Sequence, residues 1–224
     1  MNQNSSVTPF GFYETLRIFV TGYYFTTLLM ILLQALTLNY IPAIPRFSFW
    51  VWFIFITLIS GITMYAQESA KYRKAFKLNQ PSAYLQAKAR LGPDAEPLSD
   101  DEARRLYFYI LNTFVPQTFH DKISYFGLVY YLMTQIRRSS LWFAVVASGA
   151  IAVKFILGSQ LVEMKGLVGY AFVLWILYAL NAMSNKADRK MQENYQDQIF
   201  WLQMNDDIVK NALKRRHTYL KQSR

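Results

Sequence analysis

Two histidines, a cluster of acids and one lysine inside an apolar run are the residues whose types could do chemistry. His120 stands beside Asp121, the pairing that a general base or a metal site uses, yet no third ligand lies near it in sequence. The segment reads instead as a helix start, with Thr118 or Asp121 as its cap. His217 sits in a basic tail and faces solvent or lipid headgroups. Asp94, Glu96, Asp100, Asp101 and Glu102 have the composition of a cation site. Three of the five, however, fall in the first turn of a helix, where the macrodipole favours acids. The chain has no cysteine, so it has no disulfide framework and no thiolate metal centre. Phosphate-loop, nucleophile-elbow and zinc-protease motifs are also missing. These readings assign no catalytic residue, no cofactor and no metal.

The lysine is Lys154, in ASGAIAVKFILGSQLVEMKG, and its meaning depends on the element that carries it. Asp, Glu, Lys and Arg are absent from residues 18–45, 47–67, 139–153 and 166–185. A bilayer core of about 30 Å needs about 20 apolar residues of helix. Two of the four runs meet that length and the fourth comes close. The third meets it once Lys154 is admitted, giving residues 141–161. The fold class is therefore all-α, an integral membrane protein with four transmembrane helices and a helical cytoplasmic domain.

Basic residues orient the chain. Of 24 Lys and Arg, 11 lie between Gln67 and Ser140 and nine lie after Asn185. Positive charge stays on the cytoplasmic side, so both termini and the middle segment are cytoplasmic. The localisation that follows is a bacterial inner membrane, crossed several times. The net charge of +10 is accounted for by anionic lipid. The tail has Tyr219 as its only aromatic residue after Trp201, so it lacks stacking platforms, and direct nucleic-acid binding is disfavoured.

The divisions are 1–67, an interfacial segment plus the first transmembrane hairpin; 68–140, a basic helical segment; 141–185, the second hairpin; and 186–224, an amphipathic basic helix. Glu14 and Arg17 form a weak local pair on one helical face. Pro42 and Pro45 stiffen the first hairpin turn. The second helix continues into water from Glu68 to Leu78. A short helix covers Pro81 to Leu91, and Ser99 to Glu102 has the form of a capping box opening the next helix. Residues 119–136 are too short between charges to cross a bilayer. They read as a cytoplasmic or interfacial helix with Ile123, Phe126, Val129 or Tyr130, Met133 and Ile136 on its apolar side. Beyond Gly169 there is neither Gly nor Pro. Tyr195, Ile199, Leu202, Val209, Leu213 and Leu220 then form an imperfect heptad seam, with Asp206 and Arg216 at two of its positions. The seam predicts a long helix packed on a partner or on another copy, with a break along it as the alternative.

Lys154 lies about 20 Å into the third span by helical rise. It either snorkels outward as an anchor or packs inward on a face shared with Ala147, Ala150 and Gly158. Glu163 could fold back to pair with it. With Gln34 and Asn181 it completes the candidate pore or packing set. Lys71, Arg73, Lys74, Arg137, Arg138, Lys214, Arg215 and Arg216 are the candidate contacts to anionic lipid or a partner.

The leading function is a non-enzymatic, homo-oligomeric sensor or scaffold that recruits a cytoplasmic protein. The alternative is a small homo-oligomeric ion channel that depolarises the membrane. An enzyme or transporter has less support, because three spans lack ionisable residues. Four spans in 224 residues, a long basic segment ending at IRRSS and a helical basic tail resemble the KwaA family, the membrane subunits of the Kiwa antiphage system. That resemblance, one of layout along the whole chain, implies a sensor of phage attack working with a cytoplasmic, DNA-associated partner. It carries no residue role across.

Overall fold

The computed structural model describes residues 9–36, 47–71, 80–91, 97–157, 164–184 and 186–222. Among them are eight helices and no strand: α1 (Pro9–Ala35), α2 (Phe47–Lys71), α3 (Pro81–Arg90), α4 (Asp100–Phe114), α5 (Gln117–Leu157), α6 (Met164–Ser184), α7 (Lys186–Met204) and α8 (Asp206–Gln222). Four helical stretches are long and apolar enough to cross a membrane. They are Gly11–Ala35, Phe47–Gln67, Gln117–Ile156 and Met164–Met204. The turns holding Pro42 and Pro45, and the Gly158 and Glu163 connection, lie outside the described residues.

The chain divides into two compact units, residues 1–69 with 127–188 and residues 70–126 with 189–224. In the first unit, cross-helix contacts give the helix directions. Arg17 lies over Tyr131, Tyr24 hydrogen-bonds Ser140, and Phe25 meets Phe143 at 5.0 Å. Order is kept along both helices, so α1 and α5 run the same way. Tyr65 reaches Glu14 while Gly61 faces Ile18 and Gly22 faces Thr57, so α2 runs back. Tyr170 on α6 donates to the Leu28 carbonyl, while Tyr178 lies under Arg137, so α6 runs back as well. The result is an up-down-up-down bundle, as short hairpin connections favour.

The bundle interior changes character along its axis. One half is apolar, built from Leu28, Leu32, Phe143, Ala144, Ala147, Leu167, Ala171 and Leu174. The other half buries Thr21, Gln135, Ser139 and Ser140. Contact between α1 and α2 is backbone to backbone. A Cβ on Gly22 would strike the Thr57 carbonyl, and one on Gly61 would strike the Ile18 carbonyl. Glycine is required at both places by this approach alone, as at small-residue crossings of membrane helices.

The second unit has its own core of Leu85, Ala89, Leu98, Ala103, Ile110, Leu202, Val209 and Ala212. The expected helix at Pro81 is present, with Pro at its first turn. The Ser99 box is formed in full: Glu102 N donates to Ser99 Oγ, and Ser99 N donates to the Glu102 carboxylate at 3.0 Å.

Three expectations change. Residues 119–136 do not form a separate helix, because α5 runs unbroken for 41 residues. Nothing between Gln117 and Leu157 interrupts backbone hydrogen bonding, and the isolated Gly127 and Gly149 are too weak as breakers to do so. Over residues 119–136 the buried positions are Leu128, Tyr130, Tyr131 and Gln135, so Tyr130 lies inside as expected while Ile123, Phe126, Val129, Met133 and Ile136 are only half-buried. The tail takes the alternative form, a break along it, and is two helices. Asn205 interrupts it, its amide donating to the Trp201 carbonyl at 2.8 Å, while its own carbonyl accepts from Val209 N. Asp206 and Asp207 then open α8 with the favourable charge. Finally, the tail packs within its own chain. The buried stripe is Asn194, Gln198, Leu202, Val209 and Ala212, with Tyr195, Ile199 and Leu213 at its half-buried margin.

Because the α1–α2 crossing admits no side chain, Gly61→Val will force the two backbones apart and lower stability by about 2 kcal/mol or more. Gly149→Ala, where nothing lies within 4 Å of the added methyl, will stay within about 0.5 kcal/mol of the parent. Thermal unfolding of both variants in one detergent checks this contrast.

Candidate functional site

Side chains singled out in the sequence separate into those occupied by structure and those left at the surface. His120 is held against the end of α4. Its ring nitrogen lies 2.8 Å from the Leu111 carbonyl, one of the acceptors freed where α4 ends. Asp121 accepts from Gln117 at 3.1 Å. The acidic cluster is divided in the same way. Asp100 accepts from Gln86, Glu102 binds Arg216, and Asp94 and Glu96 lie outside the described residues. Among the described residues no three His, Cys, Asp or Glu side chains converge as metal ligands.

Lys154 stands in the last turn of α5, half-buried, between the exposed Val153 and Phe155. It follows Ala147, Ala150 and Ile151, all of which belong to or pack on the apolar cluster. Gln34 is exposed near the end of α1. Asn181 donates to the Leu177 carbonyl of its own helix, at the far end of the bundle from Lys154. The three are not brought to one place. Of the basic candidates, Arg137 lies 5.8 Å from the Tyr178 ring centroid and Arg138 reaches Gln67 Oε1 at 3.4 Å. Lys214 and Arg215 are exposed, whereas Arg216 is mostly covered and paired with Glu102 at 3.0 Å. The side chains of Lys71, Arg73, Lys74 and His217 lie outside the described residues.

The sequence underrated a cluster at the end of the first bundle where α1 begins. Glu14 and Arg17 do not serve each other. The Tyr65 hydroxyl donates to the Glu14 carboxylate at 3.0 Å, and the Arg17 guanidinium lies 5.8 Å from the Tyr131 ring centroid. Tyr65 and Tyr131 meet edge to face at 6.3 Å. Gly127 makes room for the arginine, since a Cβ there would sit 2.7 Å from Arg17 Nη2. A visible signal was present: Arg17 is the last charge before the first apolar run, and Gly127 and Tyr131 are one helical turn apart.

In the second unit the charged positions of the tail seam have partners on neighbouring helices. Asp206 binds Lys88 and Lys210, each at 2.8 Å, and these two ammonium groups lower its pKa. Glu102 is held at about 2, first by the backbone hydrogen bond at Ser99 and then by Arg216. Tyr107 donates to Gln198 Oε1 at 2.6 Å, and burial pushes its phenol well above the ordinary range. A double-sided polar contact therefore sits beside an apolar core.

Two outcomes test this reading of the second unit. The folded-state pKa of Glu102 is depressed, so its stabilising effect is present above pH 4.5 and is lost as the pH falls towards 2. Denaturant titrations of wild type and Glu102→Gln will accordingly differ at neutral pH and converge in that acid window. Tyr107→Phe will cost about 1–3 kcal/mol by stranding buried Gln198, and Gln198→Leu added to it will recover part of that loss in a double-mutant cycle. Comparison with protein-family models, with curated proteins and with solved structures finds no match for this chain.

Proposed function

We propose that the protein is a non-enzymatic membrane scaffold or sensor, oligomeric, whose helical second unit recruits a soluble cytoplasmic protein. The carrying observation is the surface of α4. Its inner side supplies Ala103, Ile110 and Leu111 to the core, its outer side leaves Phe108 and Tyr109 exposed, and Phe114 is exposed at its last residue. An autonomous core with capped helices has no internal need for three exposed rings on one helix. Aromatic residues are enriched where protein partners dock. Exposed Lys214 and Arg215 on α8 add a basic surface suited to an acidic partner or to anionic lipid.

The bundle supports membrane residence with both termini cytoplasmic. The start of α1, the Arg137–Arg138 stretch of α5 and the end of α6 share one end of the bundle, and that end carries Arg17, Arg137 and Arg138. By the positive-inside rule this end faces the cytoplasm, in a bacterial inner membrane. A role in antiphage defence is the setting suggested by the chain's layout. The channel reading has to route ions between copies of the chain. Conduction through a single bundle would have to cross the apolar cluster around Leu28, Phe143 and Leu174.

Full-length protein extracted in mild detergent will elute as an oligomer and hold a soluble protein encoded beside it at fixed stoichiometry. Phe108→Ser with Tyr109→Ser will release that protein and leave the oligomer intact. Monomeric behaviour with no stoichiometric partner sinks the scaffold. Ion flux into liposomes containing this chain alone, abolished by Lys154→Ala, decides for the channel.

A further inference from the structure

We infer that the Arg17 end of the first bundle binds the phosphate of an anionic phospholipid headgroup, with Arg17 as the principal ligand and Arg138 as a second positive charge. The inference rests on the membrane reading above and adds a specific ligand site to it.

Charge at this end is out of balance. Tyr24 is level with Ser140, which places Arg137 and Arg138 within about 7 Å of Arg17 along the bundle axis by helical rise. Three arginines thus share this end of the bundle. The described carboxylates at this end are Glu14, which the Tyr65 hydroxyl engages, and Asp188 in the first turn of α7, so the three arginines still outnumber them. Neutral groups hold the arginines: Arg17 lies over Tyr131, Arg137 over Tyr178, and Arg138 against the Gln67 amide. The Arg17 Nε is buried and has no hydrogen-bond partner among the described residues.

A buried donor of a charged group left unmet is costly, and an aromatic face neutralises no charge. A guanidinium placed in this way calls for an anion with several oxygens in fork geometry, which phosphate supplies. Depth selects the source. Arg17 stands just before the first uncharged run, residues 18–45, so it falls at headgroup level rather than in the hydrocarbon core. Gly127 fits the same picture. With no side chain there, the guanidinium can lie against α5.

The test uses full-length protein in detergent, with native mass spectrometry counting bound phosphatidylglycerol, phosphatidylcholine as neutral control and inorganic phosphate as competitor. Wild type will retain phosphatidylglycerol under conditions that strip phosphatidylcholine. Arg17→Gln will lower that retention about tenfold, the loss of one charge-assisted contact. Arg17→Lys, which keeps the charge and loses the fork, will fall between the two and serves if the glutamine variant misfolds. Arg138→Gln will weaken retention less than Arg17→Gln. Displacement of the lipid by inorganic phosphate would support the phosphate chemistry and overturn the lipid as its source. Equal retention of the neutral lipid, or wild-type retention in a monodisperse Arg17→Gln sample, overturns the site. Failure of the membrane reading shows separately, as release of wild type and variants alike from membranes by alkaline carbonate.

Discussion

The backbones of α1 and α2 touch at Gly22 and Gly61, and the polar end of the first bundle depends on that contact. The window of α2 that could span a membrane is little buried, at 11%, so the crossing is its main purchase on the bundle. From this position Tyr65 reaches Glu14 and leans on Tyr131, and Gln67 meets Arg138. A side chain larger than hydrogen at either glycine would displace those contacts together. In the membrane setting proposed above, hydrocarbon gives no hydrophobic incentive for helices to associate, so close backbone packing would supply it.

Charge-free runs made the four apolar helices legible, since few other signals survive a bilayer's demand for about 20 apolar residues. Local chemistry was legible too. Pro81 and the Ser99–Glu102 spacing fixed two helix starts by capping rules that act within one turn. Longer-range features were not. Continuity of α5 across residues 117–157 has no positive signal, only the absence of a breaker, and charge counting divided what hydrogen bonding leaves whole. The tail seam was read correctly at Leu202 and Val209 and one position out at Tyr195, Ile199 and Leu213, because Asn194 and Gln198 face inward as polar residues that a heptad pattern assigns to the surface. Pairing across the fold was equally hidden: Glu14 with Tyr65 and Glu102 with Arg216 join residues 51 and 114 apart.

The two units solve opposite problems with the same residue types. In the second, several charges at the margin of an apolar core have ionic partners: Lys88 and Lys210 for Asp206, Arg216 for Glu102, Asp197 for Lys122. Partly exposed pairs of this kind add little net stability, and their value here lies in fixing how α8 docks on α3 and α4. At the polar end of the first unit arginines meet rings and amides instead, a pattern that leaves their charge available to something outside the chain.

The second unit is discontinuous, and that carries a consequence for biosynthesis. Ile110 and Val209 belong to one core but are made 99 residues apart. At about 5–20 residues per second the gap lasts roughly 5–20 s. During that interval α3 and α4 are complete while Leu85, Ala89 and Ile110 lack the cover that Leu202, Val209 and Ala212 later supply. The nascent chain therefore passes through a stage in which half a domain is ready and sticky, and anything that slows synthesis of the second hairpin prolongs it.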